Sequence, residues 1–170
     1  MKRYLLRVDL STGKIRKEEI PQEVLHDYVG GKGLAAHYCF KEIPPGVDAF
    51  APQNKLMFFI GPLTGIFNVY SRHVIATKSP QTGTFTDSYA GGWFAPELAK
   101  AGLMGLIFEG QAKRLSYLKI DGEKVTLEDA AALAGKDCYA VDAMFPDYRV
   151  ATIGPAGEKL VRFACVVNDS

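Results

Sequence analysis

The chain has 170 residues, of which 48% are apolar, 23% charged and 11% aromatic, which is enough apolar mass for a real core and excludes intrinsic disorder. Lysine and arginine number 20 against 19 acidic residues, a net charge of +1 with no long block of either sign, which argues against a nucleic-acid-coating surface. The most apolar run, residues 56 to 60, is far shorter than the ~20 residues a bilayer needs, and charges interrupt the first ten positions, so no membrane span or secretory signal is predicted and the expected compartment is the cytoplasm.

Tyr4, Leu6, Val8 and Leu10 alternate with polar residues, Ser11-Thr12-Gly13 makes a turn, and residues 15 to 19 return, which predicts an opening β-hairpin. Pro21 and Glu23 start a short helix that runs to about Tyr28 before Gly30, Gly31 and Gly33 interrupt it. A second helix spans 34 to 42 and stops at Pro44-Pro45-Gly46, and a buried strand follows at 56 to 60, ended by Gly61-Pro62. After a loop at 63 to 71, residues 72 to 77 alternate as a strand, Gln81-Thr82-Gly83 turns, and 84 to 88 is β-prone. Gly91-Gly92 leads into a helix at 94 to 101, with Pro96 tolerated in its first turn and Gly102 as its stop. Strands at 103 to 109 and 114 to 120, the hairpin turn Asp121-Gly122, and a return at 124 to 127 come next. Helices at 128 to 134 and 137 to 145 and strands at 148 to 153 and 160 to 167 complete the reading.

Laid against itself, the sequence shows two echoes. Tyr28-Val29-Gly30-Gly31 and Tyr89-Ala90-Gly91-Gly92 each introduce a helix, and Ile60-Gly61-Pro62 and Ile153-Gly154-Pro155 each close a strand. The offsets differ, so this is no solenoid but an approximate internal duplication. The predicted class is α+β, with two β-sheets, short helices and one domain over residues 1 to 170.

A double glycine ahead of a helix leaves backbone N–H groups open and permits positive φ, which suits a phosphate or other anion. Neither instance matches G-x-G-x-x-G or a P-loop, and a tight turn is the commoner use of such pairs. Arg72 opens a strand beside a loop and has the forked geometry that phosphate oxygens favour, although a strand-end charge in water is the plainer reading. Asp87 and Glu97 read as a turn residue and a first-turn helix charge. Cys39, Cys138 and Cys165 contain no C-x-x-C pair, and His26, His37 and His73 lack metal-ligand spacing, so no zinc or iron–sulfur site and no catalytic residue is predicted within the chain.

Taken together, Gly30-Gly31-Lys32-Gly33, Gly61-Pro62-Leu63-Thr64-Gly65, Thr77-Lys78-Ser79-Pro80, Gly91-Gly92-Trp93-Phe94, Gly135-Lys136-Asp137, Ile153-Gly154-Pro155-Ala156-Gly157-Glu158 and the closing Cys165-Val166-Val167-Asn168-Asp169 are specific. In this order they closely resemble the N-terminal domain of the tungsten-containing aldehyde:ferredoxin oxidoreductases. The resemblance implies a base on which a bis-pterin tungsten or molybdenum cofactor rests. It implies that Arg72 contacts the phosphate region. Tyr89 and Gly91 would offer backbone groups to the magnesium and phosphates that tie the pterins together, although the family often has asparagine where this chain has Tyr89.

The 4Fe-4S cluster, the remaining pterin contacts and the aldehyde pocket would belong to downstream domains, with ferredoxin as electron acceptor. The chain ends at Ser170 in mid-motif, so it is expected to be one piece of a larger enzyme, inactive alone and able to self-associate through an uncovered apolar face. The alternative is a stand-alone, non-catalytic anion-binding or assembly module of the same fold.

Overall fold

The computed structural model describes residues 2–67 and 69–169. The opening hairpin forms as expected: β1 (Tyr4–Asp9) pairs antiparallel with β2 (Lys14–Glu19), Tyr4 opposite Glu19 and Asp9 opposite Lys14. Then come α1 (Gln22–Tyr28), α2 (Gly31–Glu42), β3 (Leu56–Ile60), β4 (His73–Lys78) and β5 (Phe85–Ala90). They are followed by α3 (Phe94–Lys100), β6 (Leu103–Glu109), β7 (Ser116–Asp121) and β8 (Lys124–Asp129). The chain closes with α4 (Cys138–Ala143), β9 (Ala151–Thr152), α5 (Pro155–Glu158) and β10 (Val167–Asn168).

The class is α+β with short helices, as predicted, and the strands divide into one six-stranded sheet and two two-stranded ribbons. The sheet runs β2-β1-β6-β3-β4-β5, with β1 and β6 its parallel neighbours, while β7 pairs with β8 and β9 with β10. Period-two alternation sends successive side chains to opposite faces. Leu5, Met57, Phe59, Val74 and Ile107 join Leu34, Ala35 and Tyr38 of α2 in one core. Leu6, Phe58, Ile60, Leu103 and Leu106 meet Ala95 and Leu98 of α3 in the other, where Leu118, Ile120 and Val125 of the β7–β8 hairpin also lie. The two glycine-initiated helices therefore cover opposite faces of one sheet.

Three expected elements are corrected. Residues 128 to 134 are not a helix: β8 continues through Asp129, because Glu128 and Asp129 pair with Tyr117 and Ser116, and only a 3₁₀ turn at Ala131–Leu133 remains. The strands expected at 148 to 153 and 160 to 167 shrink to β9 and β10, and α5 stands between them. Leu160 at φ 56° and a turn from Ala164 N–H to the Val161 carbonyl break the second run. Asp87 is no turn residue; it lies within β5 opposite Ala76.

One charge cluster is buried at the far end of the same sheet. Arg7 donates to both Glu18 (2.7 Å from Nε) and Glu42 (2.8 Å from Nη1), and Lys55 pairs with Glu42 at 3.3 Å and with Glu109. Burial opposes ionisation of both Arg7 and Glu42, yet their contacts prevail, holding the guanidinium above its ordinary value and the Glu42 carboxyl below its own.

Candidate functional site

Strand register gathers the residues singled out from the sequence. Ile60 at the end of β3 pairs with His73 at the start of β4, and His73 pairs with Ala90 at the end of β5. Arg72 and Gly91 flank that last rung, and Tyr89 is one rung inward, opposite Val74. Within β4, Val74 and Ala76 face α2, and Arg72 stands exposed one residue before the strand.

The first double glycine reaches the same end. A Cβ on Gly30 would stand 3.0 Å from Pro62 Cδ, 3.1 Å from the Ile60 carbonyl and 3.2 Å from Met104 Cε, so the start of α2 is pressed onto the ends of β3 and β6. Lys32 of α2 then binds Asp87 of β5 at 2.9 Å, tying one glycine turn to the strand that leads into the other. The hydrogen bond to Asp87 raises the Lys32 ammonium above its ordinary value. Arg3 adds a further guanidinium here, its Nη2 donating to the Pro62 carbonyl at 3.5 Å.

The turn between α1 and α2 is strained. Val29 has φ 62° and ψ −59°, the centre of a γ-turn closed by the Gly30 N–H on the Tyr28 carbonyl at 2.7 Å. A β-branched residue rarely adopts this conformation, and such strain persists only where the surroundings impose it.

The second glycine turn is held from the other end of the chain. Asp169 accepts from the Trp93 N–H at 2.7 Å and the Phe94 N–H at 3.2 Å, while Asn168 Nδ2 donates to the Gly91 carbonyl at 2.8 Å. No α3 residue caps this helix with its own side chain, so Asp169 supplies the acceptor that its first N–H groups need. Gly92, at φ 87°, leaves the room: a Cβ there would collide with the Asp169 carboxylate. Asn168, Asp169, Arg3 and Lys32 were not singled out from the sequence. The motif ending in Asn168-Asp169 was visible, but nothing local says that it folds back over 76 positions.

Beneath this turn sits His73, 1% exposed, between the rings of Phe58 (6.2 Å) and Phe94 (5.2 Å). Neither ring nitrogen has a hydrogen-bond partner, and Asp169 Oδ1 is likewise buried and unpartnered. Burial pushes the His73 imidazole below its ordinary value, against the pull of Asp169. A histidine depressed in the folded state stays neutral where the unfolded chain takes up a proton, so the stability it contributes is present above about pH 6.5 and falls as pH drops below that value. His73→Phe, which keeps the ring stack, is expected to flatten the change in melting temperature between pH 7 and pH 5.5; an unchanged slope would contradict this.

Other motifs turn out to be packing devices. Asn54 Nδ2 donates to the Ala49 and Lys78 carbonyls, and Ser79 Oγ accepts from the Gln81 and Thr82 N–H groups, so Thr77-Lys78-Ser79-Pro80 organises the end of β4 remote from Arg72. Gly65 lies against Ala99 and Pro96 of α3, and Glu158 accepts from the Gly135 N–H. Among the described residues, no group of three or more His, Cys, Asp or Glu side chains is placed to hold a metal ion, and no helix is long and apolar enough to cross a membrane.

A wide cleft of about 1160 Å³ opens on the α3 face, walled by Phe58, Leu98 and Phe108 on one side and Leu118, Val141 and Phe145 on the other. Its walls are largely apolar, in contrast to the cationic end of the sheet.

The family described as aldehyde ferredoxin oxidoreductase, N-terminal domain, matches residues 5–170. A tungsten-containing aldehyde ferredoxin oxidoreductase of Pyrococcus furiosus is 39% identical over 96% of this chain, and one of Thermococcus kodakarensis is 40% identical over the same share. This chain spans 28% of the length of each. A solved structure, the active-site complex BamBC of benzoyl coenzyme A reductase with 1,5-dienoyl-CoA, superposes with a TM-score of 0.93 at 35% identity, covering 99% of this chain and 27% of the other. The chain belongs to the aldehyde ferredoxin oxidoreductase family, corresponding to its N-terminal domain.

Proposed function

We propose that residues 1 to 170 act as the cofactor-cradling N-terminal domain of a longer oxidoreductase. In this reading the sheet end that carries Arg72, Tyr89 and Gly91 seats a bis-pterin tungsten or molybdenum cofactor. The observation that carries the reading is the meeting of two glycine turns with Arg72 at one end of one sheet.

The donor set fits a phosphorylated ligand. Arg72 is exposed and enters no ion pair among the described residues, and nothing lies within 4 Å of a Cβ built on Gly91, so a ligand can reach both. The nearby carboxylates are already engaged, Asp87 by Lys32 and Asp169 by the Trp93 and Phe94 N–H groups, so they oppose an incoming anion less than free acids would. Arg72 binds phosphate oxygens through its fork, and the turn at Gly91 orients the ligand by close backbone approach. Main-chain carbonyls at Tyr89 and Gly91, the latter also accepting from Asn168 Nδ2, would hold a magnesium ion that accompanies the phosphates, since carbonyl oxygen is a ligand that magnesium accepts.

When bound, the metal dithiolene supplies two-electron redox chemistry, with an aldehyde oxidised to its acid and electrons leaving through a 4Fe-4S cluster outside this chain to ferredoxin. The chain's own share is binding, orientation and charge balance. Relatives with this domain are named for aldehyde, sulfonate and benzoyl coenzyme A chemistry, which suits a domain that holds the cofactor while other parts choose the substrate.

The test is Arg72→Ala in the longer protein, purified from cells supplied with tungstate and molybdate. Loss of a charge-assisted fork is expected to lower metal and pterin content about 10-fold or more at unchanged melting temperature, as measured by mass spectrometry and pterin fluorescence. Full metal and pterin content in the variant would overturn the reading.

A further inference from the structure

β5 carries Tyr89 and leads into the Gly91 turn, yet little holds it from the side. It is an edge strand with β4 as its sheet neighbour, and among the described residues none of its side chains belongs to either apolar core. The backbone ladder to β4 and polar contacts therefore decide where it lies.

Period-two alternation puts Asp87 and Tyr89 on one face of β5, opposite Ala76 and Val74, which pack toward α2. On that face Lys32 Nζ meets Asp87 Oδ1 at 2.9 Å, the one ion pair among the described residues that joins β5 to a helix. The Asp87 side chain is largely withdrawn from water, at 15% exposure. Lys32 stands in the first turn of α2, where the positive end of the helix dipole disfavours a cation and where there is no acidic residue. Helix stability therefore gives no reason for a lysine at this position, whereas Asp87 does.

Gly30, two residues before Lys32, is pressed against Pro62 and the Ile60 carbonyl. The same turn of chain is thus fixed to the end of β3 on one side and to β5 on the other, and β4, with Arg72 just before it, lies between them.

We propose that Lys32 and Asp87 are a positioning pair, a clasp that sets the separation of the two glycine turns across Arg72, and that neither side chain contacts the ligand. This role presupposes that the sheet end is the cofactor seat. A clasp and a direct charge place opposite demands on Asp87. Were Lys32 the seat's own positive charge, neutralising Asp87 would free it and strengthen the hold on phosphate. For a clasp, loss of either partner loosens the edge strand, and with it the backbone groups at Tyr89 and Gly91.

The experiment measures tungsten, molybdenum and pterin in the longer protein carrying Lys32→Ala, Asp87→Asn, both together, or Lys32→Arg, with Arg72→Ala prepared alongside. Lys32→Ala and Asp87→Asn are each expected to lower content about 3- to 5-fold, the change that a half-exposed ion pair can carry. The double variant should be no lower than either single one, because both remove the same contact. Lys32→Arg should keep full content, and melting should move by less than about 4 °C in all four. Asp87→Asn at or above the unsubstituted content, a loss in the double variant that multiplies the two single losses, or full content in Lys32→Ala would each overturn the clasp. Full content in Arg72→Ala would instead remove the seat itself, so the two failures are told apart.

Discussion

Replacing Arg7 by alanine is expected to destabilise the protein by about 3 to 5 kcal/mol, the range for removing one partner of a buried ion cluster. Arg7 lies in β1 and is 6% exposed as a residue, its guanidinium paired with Glu18 of β2 and Glu42 of α2, with Glu109 of β6 at 4.0 Å. Removing it leaves Lys55 paired with Glu42 and Glu109, and takes from Glu18 and Glu42 the guanidinium that both accept from. The pH dependence should also change. In the unsubstituted protein the Glu42 carboxyl is held below its ordinary value, so that contribution is complete above about pH 4.5 and is lost as pH falls through the folded value. Without Arg7, Lys55 alone offsets burial at Glu42, so the carboxyl should move up, and the variant's deficit relative to the unsubstituted protein should be smaller at pH 5 than at pH 7. Urea unfolding at the two pH values checks both statements; a loss under about 1 kcal/mol would show that the cluster contributes no more than a surface pair.

The second large effect is expected at Gly33→Ala. On helix propensity alone, alanine should help by about 1 kcal/mol. Yet a Cβ at Gly33 would overlap the Tyr28 carbonyl oxygen and lie 3.1 Å from the Tyr28 carbonyl carbon, and backbone cannot rotate away as a side chain can. Overpacking costs about 1 to 3 kcal/mol, and an overlap with fixed backbone stands at the upper end, so the net loss should be about 2 kcal/mol. The same carbonyl accepts the Gly30 N–H in the γ-turn at Val29, so the substitution also shifts one wall of the candidate cradle. In the longer protein it should lower both melting temperature and tungsten content, whereas Arg72→Ala should lower content alone. A Gly33→Ala protein with unaltered melting would show that α1 and α2 part without cost.

Much of the fold is readable because the informative patterns are local. The alternation of β1, the apolar run of β3 and the glycine and proline stops around α2 and α3 each place an element near its observed position. The misses occur where a distant partner decides. Glu128-Asp129-Ala130-Ala131 favours a helix by composition, but the pairing of β8 with β7 claims its first half. Residues 160 to 167 alternate like a strand, yet Leu160 in the left-handed region and the turn that follows leave only Val167–Asn168 in the ribbon.

The cradle residues divide in the same way. Arg72 and the double glycines carry a local signature, whereas Tyr89 is singled out only by the resemblance, which also supplies the cofactor roles proposed for all of them. The Asp169 contact with the N-terminus of α3, and the sealed ring of His73 below it, belong to tertiary structure, because each depends on residues far apart in the chain.

The most direct test of the central claim is a crystal structure of the longer protein purified with its cofactor. The account predicts pterin phosphates within hydrogen-bond reach of Arg72 and of the backbone at Gly91, at the sheet end shared with Gly30 and Lys32. A cofactor lodged instead in the apolar cleft between α3 and the β7–β8 hairpin, with Arg72 facing solvent, would contradict it.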